Sequence, residues 1–148
     1  MTQPLLALRK TDAPGLLPKL FSVLTRARLI TRYPHAGIVI DGILYHSTLA
    51  DGLHYESFKA SKPDEWDLFL IDVPSSVVLE RYLKVSGAKY DWLSLLAFVV
   101  PWRVSVSEWL YCYEWAWYAI TGELPGRRVS PEDLLTLTKG RYGYEGSR

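Results

Sequence analysis

Apolar and polar positions alternate in short runs over the first half of the chain and recur at helical spacing over the second. Leu5 to Leu8 is a brief apolar run that reads as a strand at a sheet edge. Pro14 and Gly15 break it, and Leu17, Leu20, Phe21 and Leu24 then fall on one helical face, which predicts a helix over 16–30. "HAGIVI", rich in β-branched residues, is followed by Asp41-Gly42 and then "ILYHS". Two strand-like runs joined by Asp-Gly predict a hairpin. A second Asp-Gly, Asp51-Gly52, introduces "LHYESF" as a further strand, and "WDLFLIDV" (Trp66 to Val73) alternates until Pro74 stops it. The first half therefore predicts an antiparallel meander behind one helix.

The later pattern is helical. "SSVVLERYLKVSG" opens on serines suited to capping and ends at Gly87. "YDWLSLLAFVV" gives a second helix ended by Pro101, and "SEWLYCYEWAWYAITG" a third ended by Gly122. In "SPEDLLTLT", Ser130 is placed to cap, with Pro131 at the first helical position and acids in the first turn. Strands followed by helices predict an α+β fold in which helices pack on one face of an antiparallel sheet. No repeat or linker divides it, so residues 1–148 are expected to form one domain.

Composition narrows the function classes. With 148 residues and a net charge of +1, the chain gives no electrostatic reason to expect nucleic acid. The longest uncharged apolar run, Trp92 to Trp102, has 11 residues and includes Pro101, so no membrane span is expected. No signal peptide is apparent, and the expected location is the cytoplasm. The single cysteine rules out an internal disulfide, and neither CxxC nor HExxH spacing occurs. Neither a metal nor another cofactor is expected.

That cysteine, Cys112, lies in "WLYCYEWAW", where 4 of the chain's 6 tryptophans fall between Trp102 and Trp117. A free cysteine among aromatics is ordinarily a small core residue. In the first turn of a helix, however, unpaired amides and the helix dipole favour a thiolate. His35 and His46 flank the Asp41-Gly42 turn at positions that a hairpin brings within imidazole–imidazole reach. A base oriented by a third polar group beside a thiol is the general form of an activated nucleophile. His54 reads as a rim residue.

These segments resemble the circularly permuted papain-like hydrolases of the NlpC group, in which histidine precedes cysteine. The likeness rests on "HAGIVI" with its Asp-Gly turn, on "GAKYDWLSLLAF" before "WLYCYEWAW", on Glu114 two residues after Cys112, and on "SPEDLL". It runs in order from about Leu5 to Leu135 and is shared with YiiX/YaeF-type members. His46 at the third polar position is similar to the lecithin:retinol acyltransferase-like branch. Tyr113 stands where those relatives have serine after the cysteine, and Pro34 where serine is common before the histidine.

The resemblance implies Cys112 as nucleophile, His35 as general base and His46 as the residue fixing its tautomer. By its position Asp91 reads first as a helix cap; the resemblance implies Tyr90 and Asp91 as part of the cleft wall. Tyr111 and Tyr113 are the aromatic side chains nearest Cys112 and are taken as substrate-binding candidates. The implied substrate is an acyl compound, either a peptide amide of bacterial cell wall or a lipid ester or amide. Compact chains of this type are also similar to proteins of phage tail gene clusters. A second class of function is therefore a non-catalytic structural or binding module, with phage tail or other assembly proteins as partners and a phage particle as its location.

Overall fold

Asp41 and Gly42 both adopt the left-handed region, with φ of 48° and 79°, so the chain reverses in two residues with the twist a hairpin needs. This turn joins β2 (His35–Ile40) to β3 (Ile43–Thr48), with Ile40 opposite Ile43 and Gly37 opposite His46. The computed structural model describes residues 2–11, 16, 19–20, 23, 32–48, 51–86 and 111–143. The other strands are β1 (Leu5–Arg9), β4 (Gly52–Ser57), β5 (Trp66–Ile71) and β6 (Thr138–Tyr142). The helices are α1 (Ser75–Val85), α2 (Cys112–Thr121) and α3 (Pro131–Leu135).

All pairings are antiparallel and the sheet order is β4-β3-β2-β1-β5-β6. The α+β class is as expected, but the order is not a simple meander. Leu5 to Leu8 does not form an edge: β1 lies between β2 and β5, and Leu6, Ala7 and Leu8 are fully buried. A run with apolar residues on both faces suits a strand covered on both sides. β6, "TKGRY", was not anticipated. Its mostly exposed residues carry no apolar period, and backbone pairing to β5 holds it, with a register shift at Leu70/Ile71.

Strand alternation sorts the side chains into two layers. One face presents Leu6, Leu8, Ala36, Ile38, Ile40 and Ile71 to the helices, where they pack with Cys112, Trp115, Ala116 and Ala119 of α2. The other presents Ala7, Val39, Leu44, Trp66 and Leu68, closed over by Phe58. Trp115 is fully buried and its indole N–H donates to the Tyr45 carbonyl at 2.8 Å, tethering α2 to β3. For this tryptophan, core packing is the observed role.

The helix ends have separate causes. α1 begins after Pro74 with no side-chain cap, so the serines expected to cap it lie inside the helix; the Ser75 hydroxyl instead donates to the Thr2 carbonyl. α2 ends at Gly122, φ 81°, and Arg81 of α1 donates to the Ala119 and Ile120 carbonyls at 2.7 and 2.9 Å. This places a cation where the helix dipole is negative. α3 carries the expected cap as a reciprocal box between Ser130 and Asp133. The helix predicted over 16–30 lies largely outside the described residues, although Leu16, Lys19, Leu20 and Val23 are helical. The helix "YDWLSLLAFVV" is outside them entirely.

Candidate functional site

β2 and β3 bring two histidines together. His35 Nε2 lies 2.9 Å from His46 Nδ1, and the ring centroids are 5.2 Å apart at 65°. Gly37 makes this possible. A Cβ on it would lie 3.0 Å from the His46 Cβ and 2.7 Å from Leu44 Cδ1, so a side chain here would crowd both residues across the strands. On the other flank Trp66 packs edge-on to His35 at 5.7 Å, with the Arg9 guanidinium over the Trp66 ring. His54 stands directly across from His46 with ring centroids 4.5 Å apart, and its Nδ1 bonds the Gly52 carbonyl at 2.9 Å. All three histidines therefore lie on one face of the sheet, His54 directly opposite His46 and His35 on its diagonal.

His46 is buried, and His35 and His54 are partly buried. Burial pushes the His35 imidazole down to about 3, with Arg9 and His54 adding to the shift. Burial likewise takes His46 down to about 2, assisted by His35, His54 and Arg9. Both rings are neutral at physiological pH, as a general base must be. With Nε2 of His35 turned to His46, Nδ1 is the nitrogen left for a further partner.

Cys112 is the first residue of α2, and Tyr111 is the cap residue. The sulfur is buried in the helix-side layer, and the backbone amides of Ala36, Tyr113 and Cys112 itself favour its charged form. Burial outweighs them and pushes the thiol up to about 12. A bare helix N-terminus favours a thiolate, but here removal from water is the larger effect.

The thiol thus meets β2 at Ala36, the residue after His35. Alternation turns Ala36 toward α2 and directs the His35 ring to the face that holds Trp66. Among the described residues no hydrogen bond joins Cys112 to either histidine. The structure brings His35 and His46 together on one face of the sheet and seats Cys112, with a neutral, enclosed thiol, against the other face of β2.

The remaining candidates lie elsewhere. Tyr111 and Tyr113 are each 1% exposed. The Tyr111 hydroxyl accepts from the Val129 amide at 3.1 Å, and the Tyr113 hydroxyl donates to the Tyr33 carbonyl at 2.5 Å. Both rings are thus core side chains in this state and present no surface to a substrate. Tyr90 and Asp91 fall outside the described residues.

Two features of this region were missed from sequence. Glu56 of β4 places Oε1 3.2 Å from His46 Nε2. The strand register, two residues beyond His54 on the same face, could have indicated it. Asp67, its side chain 2% exposed, accepts from Tyr33 Oη at 2.7 Å and from Arg141 at 2.5 Å. Arg141 belongs to the unanticipated β6, so no local pattern pointed to that pair. Among the described residues no group of three or more histidine, cysteine or acidic side chains could hold a metal ion. Nor is any helix among them long and apolar enough to cross a membrane.

No family model matches the chain. Two curated relatives are large envelope proteins of hepatitis B virus. The one from genotype F1 (isolate Argentina/sa11/2000) is 38% identical over 76 residues, and the one from genotype F2 subtype adw4q (isolate Senegal/9203) is 37% identical over 76 residues. Each alignment covers 49% of this chain and 19% of the relative. The chain therefore spans about a fifth of the length of the relatives it matches.

Proposed function

We propose that the protein is a cysteine-dependent acyl hydrolase of permuted papain-like fold, acting through Cys112, His35 and His46. The observation that carries this reading is the His35 Nε2–His46 Nδ1 contact of 2.9 Å on the strand that Cys112 abuts. A neutral imidazole held by a second imidazole is a base with its orienting group in place, and the helix-start thiol meets the same strand at Ala36, from the opposite face.

Because the His35 ring and Cys112 lie on opposite faces of β2 in this structure, the mechanism requires the start of α2 to shift toward the His35 end of the strand. The Cys112 S–H proton then passes to His35 Nδ1 as sulfur attacks the acyl carbon, forming a C–S bond and an oxyanion. Amides at the start of α2 are the nearest donors for that charge. Collapse expels the amine or alcohol, which takes the proton from His35. Water, deprotonated by the same ring, then cleaves the thioester to a carboxylic acid and restores the thiol. The buried thiol must first be uncovered by substrate. Its neutral resting form makes proton transfer concurrent with attack rather than prior to it.

Intact-mass spectrometry after incubation with an activated ester tests the reading. An acyl adduct is expected on the wild type, absent from Cys112→Ala and strongly slowed in His35→Ala. No adduct on the wild type across peptide, lipid and small activated esters would end it. The full burial of Cys112 favours a second reading, a non-catalytic module of a larger assembly, and that result would support it.

A further inference from the structure

We infer that Glu56 is a positioning residue that sets the tautomers of both histidines and thereby leaves His35 Nδ1 as the basic nitrogen. The inference deepens the proposed cysteine-hydrolase reading and rests on it for its kinetic consequence only. His46 Nε2 is fully buried and has no hydrogen-bond partner. The nearest charged atom is Glu56 Oε1 at 3.2 Å, close enough for an ion pair but off the hydrogen-bond direction. An unsatisfied buried nitrogen beside a carboxylate calls for an explanation.

The register supplies the geometry. His46 pairs with His54 and Leu44 with Glu56, so Glu56 is the diagonal neighbour of His46 on one face. Such diagonal pairs are within reach of a long side chain. The Glu56 side chain is 41% exposed, so a small rotation that leaves the core undisturbed completes a hydrogen bond from His46 Nε2 to the carboxylate.

The chemistry then follows in sequence. A carboxylate oxygen this close to an imidazole nitrogen repels a lone pair there and attracts an N–H. His46 therefore carries its proton on Nε2 and presents a lone pair at Nδ1. His35 faces that lone pair with Nε2, which must be its N–H, because two lone pairs at 2.9 Å would repel. The remaining nitrogen of His35, Nδ1, is unprotonated. Reversing the assignment sets His46 Nε2 against the carboxylate lone pair to lone pair, and puts a proton on the nitrogen a thiol must use.

Long-range ¹H–¹⁵N correlation spectra of the imidazoles at neutral pH test this directly. In the wild type both rings are expected to show a protonated-type Nε2 and a pyridine-type Nδ1. Glu56→Ala should give His46 a mixture of tautomers and His35 Nδ1 an intermediate shift. Glu56→Gln, whose amide oxygen still accepts, should restore the wild-type pattern. Under the same conditions acylation of Cys112 by an activated ester should fall roughly tenfold or more in Glu56→Ala, through the wrong tautomer, and recover in Glu56→Gln.

A wild-type His46 protonated on Nδ1 would overturn the inference, as would Glu56→Ala spectra identical to wild type. Those spectra are independent of turnover. A wild type that fails to acylate removes the hydrolase reading, while the tautomer pattern still decides the part played by Glu56.

Discussion

Gly37→Ala places one methyl group between the two strands that hold the histidines. The new Cβ would lie 2.7 Å from Leu44 Cδ1, 3.0 Å from His46 Cβ and 3.0 Å from the Tyr45 carbonyl oxygen. Leu44 can yield by rotating, although it is fully buried. The Tyr45 carbonyl cannot, since it also accepts from the Trp115 indole. Overpacking of this kind typically costs about 1–3 kcal/mol. Replacing glycine reduces unfolded-chain entropy and offsets about 0.4–1 kcal/mol of that. The net loss is centred on about 1.3 kcal/mol and reaches at most about 2.6 kcal/mol, or a Tm lower by roughly 3–5 °C at the centre for a chain of this size. Urea unfolding with parallel thermal melts would measure it, and imidazole ¹⁵N spectra would show whether His46 moves from His35. A variant as stable as the wild type, with both rings unshifted, would refute the claim that glycine makes room for the pair.

His46 has its pKa lowered from 6.5 to about 2, so the unfolded chain binds the proton first and stability present above pH 6.5 drains as pH falls below it. The slope from this group is at most about 1.4 kcal/mol per pH unit, and urea midpoints at pH 7 and 5 should be steeper in pH for wild type than for His46→Gln. Cys112, pushed up to about 12, should react with a small thiol reagent at a rate that climbs about tenfold per pH unit with no plateau below pH 10; a plateau near neutral pH would contradict its enclosure. Cys112→Ala should cost about 1 kcal/mol in chemical unfolding while removing all labelling. Arg81→Ala leaves the Ala119 and Ile120 carbonyls without their donor and should lower stability by about 1.5–3 kcal/mol in the same assay.

The parts of the fold readable from sequence were those fixed by neighbours. Asp41-Gly42 dictates a reversal within two residues, and the β2–β3 register with its histidine contact follows from it. Ser130, Pro131 and Asp133 similarly announce the start of α3. What could not be read is set by distant partners. The central place of β1 depends on β5, and β6 is a strand because β5 offers it a ladder. The charge state of Cys112 is set by burial in a core drawn from several other elements. For the candidate site, the pairing of His35 with His46 was visible, whereas the placement of Cys112 on the other face, the Glu56 contact and the core positions of Tyr111 and Tyr113 required the tertiary structure.

The position of β1 also bears on the order in which the protein can fold. Leu5 to Arg9 is laid between β2 and β5, with Leu5 opposite both Val39 and Leu70. Closing such separations is entropically costly before the contacts form, and chains dominated by them fold slowly. The β2–β3 hairpin, with its two-residue turn, can form in isolation within microseconds. During synthesis β1 is made first, yet one of its two edges stays bare until Leu70 has left the ribosome, several seconds later at ordinary elongation rates. Through that interval an apolar strand has an unsatisfied ladder, which is the state most open to pairing with another chain. The histidine hairpin can thus be assembled well before the sheet that gives it a buried environment.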